Sequence, residues 1–260
     1  MIHLADLLST GSGVLVGFAL GLLGGGGSIL ATPLLLYVVG VKSPHVAIGT
    51  GALAVSVNAF ANLFAHSRAG NVKWPCAAVF AVSGVAGAFA GAALGKAMAG
   101  EKLLFLFGLV MIAVAAAMLS PRAASGDPDV RINPGIALRL VLIGALVGLL
   151  SGFFGIGGGF LIVPGIMLGS GMATINAVGS SLVSVGLFGL TTALSYAASG
   201  LVDWRVAGFF ILGGLFGGLA GVRLSARLAT RRTALTRTFA TAVCAVAAFV
   251  LWRSAPAFFG

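Results

Sequence analysis

The chain has 260 residues, 59% of them hydrophobic and only 8% charged, with 15 Lys and Arg against 5 Asp and Glu for a net charge of +10. Soluble globular domains carry about 25% charged residues, so composition excludes that class. The basic residues fall between apolar runs rather than on one face; this is a membrane-topology pattern, and no nucleic-acid partner is expected.

Apolar segments lie at 11–39, 46–66, 75–95, 103–119, 136–168, 175–198, 206–228 and 236–252. Most approach or exceed the ~20 residues needed to cross a ~30 Å hydrocarbon core. The expected class is therefore an all-α polytopic membrane protein. Met1–Thr10 has no basic stretch ahead of the first apolar run, so no cleaved signal peptide is expected.

The first segment contains "GLLGGGGSILATP" (21–33). Glycine costs about 1 kcal/mol relative to alanine inside a helix, and proline removes a backbone donor. The segment also exceeds one span, which predicts a broken helix. Its arms are expected to be half-helices of about 12 residues meeting near mid-membrane, where irregular backbone survives only beside protein or a wet cavity.

The second segment carries Asn58, Asn62 and His66 at i, i+4, i+8, one face of a helix. These suit either interhelical hydrogen bonding or a polar pathway. His66, near the helix end, is expected to be interfacial, although a proton-coupling role would also suit it. The third opens at Trp74, an expected interfacial anchor, and reads "GVAGAFAGAALG" (84–95), glycines spaced for close helix packing. After the fourth, "SPRAASGDPDVRINPG" (120–135), with three prolines, two glycines and four charges, divides the chain.

Beyond the linker the pattern returns. A shift of 131 lays Gly21, Gly24, Gly26, Gly27, Leu30 and Pro33 on Gly152, Gly155, Gly157, Gly158, Leu161 and Pro164. A shift of 130 pairs "AIGTGAL" (47–53) with "AVGSSLV" (177–183), Trp74 with Trp204, and Gly84, Gly87 and Gly91 with Gly214, Gly217 and Gly221. The expected organisation is two homologous repeats, 1–119 and 136–260, joined by a 120–135 linker, each beginning with a Gly-rich broken helix. "GGLFGGLAG" (213–221) is again a packing motif.

If each broken helix turns back to the side it came from, the copies are inverted. One side then collects Arg68, Lys73, Arg122, Arg131, Arg139, Arg223, Arg227, Arg231, Arg232 and Arg237; the other keeps Lys42, Lys96, Lys102, Arg205 and Arg253. That asymmetry is what the positive-inside rule requires. It makes "RLSARLATRRTALTR" cytoplasmic, either as a topology signal or as a holder of anionic lipid head groups.

The glycine breaks present backbone N–H groups and positive helix ends, which attract anions. Candidate binding residues are Gly24, Gly25, Gly26, Gly27 and Ser28 with Gly155, Gly157, Gly158 and Gly159, helped by Thr50, Asn58, Asn62, Ser180 and Ser181. The three hydroxyl residues open their helices and are equally suited to capping. Lys42 and His45 flank the first break as loop residues. The acidic residues Asp6, Glu101, Asp127, Asp129 and Asp203 are expected outside the apolar cores, which leaves no intramembrane carboxylate pair. The three histidines lack metal-ligand spacing, and Cys76 and Cys244 read as small buried residues. No enzyme, metal or cofactor is expected.

"GLLGGGGSILATPLLL" with "AIGTGAL", repeated as "GFFGIGGGFLIVPGIM" with "AVGSSLV", resembles the sulfite exporter TauE/SafE family of membrane permeases. The first copy departs at Gly51, where the second has Ser181. The resemblance implies secondary transport of a sulfite-like or organosulfonate anion across a bacterial inner membrane, with a proton or sodium as a conceivable coupling ion. A passive anion channel and a non-transporting membrane scaffold are the alternatives.

Overall fold

The computed structural model describes residues 4–119, 126–127, 129–155, 159–227 and 232–259. The protein is all-α. Helix α1 (Leu4–Leu23) ends at a break, after which Gly24–Leu30 wind as a 3-10 helix, Ala31–Leu34 as α2 and Leu35–Val39 as a π turn. Then follow α3 (Pro44–Arg68), α4 (Trp74–Ala97), α5 (Gly100–Leu119), α6 (Pro134–Phe154), α7 (Gly159–Ser170), α8 (Thr174–Ala197), α9 (Trp204–Arg227) and α10 (Arg232–Phe259). Among the described residues seven helices are long and apolar enough to cross a membrane, and 27–39 and 159–170 are shorter apolar stretches.

Glycine decides which helices touch. A Cβ on Gly13, Gly17 or Gly21 would strike backbone of Phe210, Gly214 or Gly218, so α1 and α9 lie side by side in the same direction, main chain against main chain. Gly84, Gly87 and Gly91 of α4 meet α6 in the same way, at Gly144, Ala145 and Leu149. Both glycine-spaced motifs are thus packing surfaces, as their spacing predicts. In hydrocarbon no hydrophobic drive pulls helices together, so this close dispersion contact carries their association.

Helices α3 and α8 run antiparallel. Gly49, near the start of α3, meets Leu201 beyond the end of α8; Ser56 Oγ donates to the Gly186 carbonyl at 2.7 Å; and Gly179, near the start of α8, meets Asn71 beyond the end of α3. Helix α9 runs alongside α3 in the same sense, with Gly214 against Asn58 and Gly218 against Asn62. Hence α1 and α3 point the same way, and the 24–39 limb between them carries the chain back.

That geometry corrects one expectation and supplies its reason. The first arms are not half-helices: α1 has 20 residues and α6 has 21, each enough for about 30 Å. Gly24 packs at Val178 and Gly155 at Ile48. These contacts lie eight residues from the Ser56–Gly186 crossing, roughly 12 Å along the axes and in opposite directions. The breaks therefore sit toward opposite ends of the bundle, and what fills the middle is the return limbs, where the 3-10 segment packs on α7.

The halves are interlocked rather than side by side. The main partners are α1 with α9, α4 with α6, α3 with α8 and α5 with α10. Part of the polar linker is anchored too: Asp127 N–H donates to the Gly171 carbonyl and its own carbonyl accepts from Ala173 N–H. Asp6 does not lie outside the apolar core as expected. It is 3% exposed and forms a bidentate pair with Arg205, at 3.0 Å to Nε and 2.8 Å to Nη2, tying the starts of α1 and α9.

Gly214→Leu drives a branched side chain into the buried Asn58 amide of α3. We expect it to cost at least about 1–3 kcal/mol, read as a lower melting temperature in detergent by the fluorescence of Trp74, Trp204 and Trp252. The same change at Gly208, where a Cβ meets open space, is expected to leave the melting temperature unchanged.

Candidate functional site

Both breaks are built on a left-handed glycine, Gly24 at φ +72° and Gly155 at φ +66°. An L-residue pays roughly 1–2 kcal/mol in that conformation. A Cβ would also collide with Val178 in the first case and Ile48 in the second. Val178 and Ile48 are 130 positions apart, and each sits one turn inside the helix that seals the other half's break. Pro33 follows in the first limb and Pro164 lies inside α7, so each limb also lacks a backbone donor near its centre.

Gly24–Ser28 lie in the 3-10 stretch, whose seven residues exceed the usual three or four. Gly27 abuts the main chain of Ala19 and Leu20, holding the limb tight against α1, and Ser28 is fully buried. On the other side Gly155 caps α6 and Gly159 opens α7, buried. Gly157 and Gly158 fall outside the described residues.

The three hydroxyls are committed to protein contacts. Thr50 Oγ1 accepts from Asp203 N–H at 2.9 Å, and Ser180 Oγ accepts from Lys73 N–H at 2.9 Å. Asp203 and Lys73 directly precede α9 and α4. Each hydroxyl thus fastens the turn before a helix of the opposite half, and the two bonds are again 130 positions apart. Ser181 Oγ donates back to the Val178 carbonyl at 2.8 Å. Sequence reasoning weighed capping of their own helices; the Thr50 and Ser180 bonds instead cross between halves, which spacing within one helix does not reveal, while the Ser181 bond stays within α8.

The polar stripe on α3 faces α9. Asn58 is fully buried against Gly214, and neither side-chain amide atom has a hydrogen-bond partner. Asn62 Nδ2 donates to the Asn58 carbonyl at 3.0 Å and its amide lies against Gly218. His66 lies in the last turn of α3 and is 3% exposed, packed into the bundle. The equivalent surface of α8 carries Phe188 against Gly84 where α3 has Asn58 against Gly214. One half is polar at this place and the other is a phenyl ring.

Sequence reasoning did not select Thr32, Ser151, Ser184, Thr192 or the Tyr196 hydroxyl, all buried without a hydrogen-bond partner. Thr192 and Tyr196 stand 130 positions from Asn62 and His66 and share a four-residue spacing with Ser184, a signal masked because Phe188 interrupts the polar stripe; Thr32 and Ser151 stand alone in their apolar runs. Trp74 and Trp204 are 52% and 67% exposed; Cys76 and Cys244 are free, Cys76 buried as expected and Cys244 only half-buried on the outer helix α10. Lys42 is exposed, and His45 Nε2 pairs with the Met98 carbonyl at 3.1 Å. No group of three metal-ligating side chains occurs among the described residues.

Residues 9–250, spanning every helix that positions these features, match the family model described as Sulfite exporter TauE/SafE. The chain belongs to the TauE/SafE family. It is 53% identical to a "Probable membrane transporter protein" of Xylella fastidiosa over 95% of both chains. It is 27% identical to "Probable membrane transporter protein YunE" of Bacillus subtilis, over 84% of this chain and 88% of that one. A "Probable membrane transporter protein" of Methanocaldococcus jannaschii is 29% identical over 75% of this chain and 72% of its own length. No solved structure matches. This TauE/SafE member is a multi-pass membrane protein of a transporter family.

If Thr50 and Ser180 serve as fasteners, Thr50→Val and Ser180→Ala each strand a backbone N–H. Each is expected to cost about 1–3 kcal/mol and to lower the melting temperature in detergent, with additive effects because the two bonds lie at opposite ends. Unchanged melting in both variants would remove the structural role.

Proposed function

We propose that this protein is a secondary transporter for small sulfur-containing anions, sulfite or small organosulfonates, in a bacterial inner membrane. The observation that carries the reading is the matched pair of reversals at Gly24 and Gly155, each sealed by the equivalent helix of the other half. Paired helix breaks in inverted repeats are where transporters hold their substrates. The family description supplies the sulfur anion, and the antiparallel α3–α8 pair supports inverted halves.

In this reading the anion's track runs between the two return limbs, with Gly24–Ser28 at one end and Gly155 and Gly159 at the other. Backbone N–H groups, uncovered by side chains at glycine, bind the oxyanion where, among the described residues, no lysine or arginine is buried. The unpartnered Asn58 amide offers a further donor. The Thr50–Asp203 and Ser180–Lys73 bonds close the two ends, and opening one while the other holds gives alternating access. A proton or sodium supplies the coupling.

The test is flux in proteoliposomes made from the purified full chain. Sulfite flux is expected to saturate with concentration and to fall at least about tenfold in Gly24→Leu and Gly155→Leu, since strain and collision together exceed ~1.4 kcal/mol. Absence of saturable sulfite flux, or wild-type flux in both variants, overturns the proposal. Flux that never saturates and needs no counter-ion identifies a channel.

A further inference from the structure

At the end of the bundle where the first limb emerges, a cleft of about 340 Å³ is lined by Tyr37, Lys42, Pro44, Glu101, Leu104 and Arg253. It belongs to no break and has no counterpart in the repeat pattern, since Lys42 and Tyr37 correspond to Ala173 and Leu168. Three charges from three different elements converge here: the turn before α3, the first turn of α5 and the last part of α10. No ion pair among the described residues engages any of them. Two cations and a carboxylate gathered in one cleft without pairing each other are arranged for a ligand that carries both signs.

The surroundings say where that ligand lies. Tyr37 stacks edge-on with Phe249 at 5.0 Å between ring centroids, Phe249 contacts Trp252 at 6.3 Å, and the Arg253 guanidinium lies 5.9 Å from the Phe249 ring. Trp252 is 74% exposed. Exposed tryptophan beside tyrosine and arginine marks the level of lipid head groups, and arginine or lysine there attracts lipid phosphate. The volume exceeds what a bare oxyanion fills, and Leu36, Val41 and Leu104 extend the lining with apolar surface.

We propose that this cleft is a binding site for the head group of a phospholipid carrying an amine, phosphatidylethanolamine. Lys42 and Arg253 hold the phosphodiester, Glu101 accepts from the ammonium, and the acyl chains run down the apolar wall beside Tyr37 and Leu104. The site adjoins the foot of the limb that begins at Gly24, so a bound lipid braces that limb. It does not depend on which solute is transported.

Native mass spectrometry of the purified chain, incubated with phosphatidylethanolamine or phosphatidylglycerol in detergent, tests it. Wild type is expected to retain one phosphatidylethanolamine in preference to phosphatidylglycerol. Lys42→Ala with Arg253→Ala is expected to weaken retention about tenfold or more, from loss of two cations at the surface. The charge-keeping pair Lys42→Arg with Arg253→Lys retains it, and Glu101→Gln erases the preference for the amine. Equal retention by wild type and the double alanine variant overturns the proposal. So does displacement of the lipid by millimolar sulfite, which makes the cleft a mouth for free anions. Should the alanine pair fail to fold, Lys42→Gln with Arg253→Gln replaces it in the same comparison.

Discussion

A chain that reverses within a packed helical bundle must cover the backbone groups that the turn leaves without helical partners, because little water reaches them there. That constraint shapes this molecule. Each reversal is at a left-handed glycine, and each is covered by a helix from the other half: Gly24 by Val178 of α8, Gly155 by Ile48 of α3. The main-chain contacts of α1 with α9 and of α4 with α6 hold these covers in place.

Close packing and openness are distributed unevenly as a result. The glycine-lined pairs are too tight to admit a ligand, since even a methyl group would meet carbonyl oxygens there. The limbs are the contrary case: 3-10 and π turns with the unpartnered Thr32 hydroxyl in the first, and a helix with an internal proline in the second. Irregular helix of this kind is where conformational change is least costly. We read the tight pairs as bodies that move as units and the limbs as what they move around.

Much of this was legible in the sequence. Repeated "GGGG-then-Pro" segments signal broken helices because glycine and proline act locally, and glycines spaced four apart signal packing for the same reason. The level of the breaks was not legible. Residues Leu4–Thr10 extend α1 by two turns beyond the apolar run, held by the Asp6–Arg205 pair, and no local rule announces a partner 199 positions away. The hydroxyls at 50 and 180 were visible as candidates, but their use as fasteners depends on an antiparallel crossing that only the assembled bundle shows. Asn58 was picked out by periodicity, yet its neighbour Gly214 and the phenyl ring in the equivalent place are tertiary facts.

The central claim is that the chain turns back at Gly24 and returns to the face from which α1 set out. Single cysteines at positions 4, 42 and 69, in a chain with Cys76 and Cys244 replaced by alanine, test it with a membrane-impermeant maleimide applied to right-side-out and inverted vesicles. The account predicts that Leu4→Cys and Lys42→Cys react from the same face and Ala69→Cys from the opposite one. Labelling of positions 4 and 42 from opposite faces would contradict it, because the first segment would then cross the membrane once and the glycines would mark no reversal.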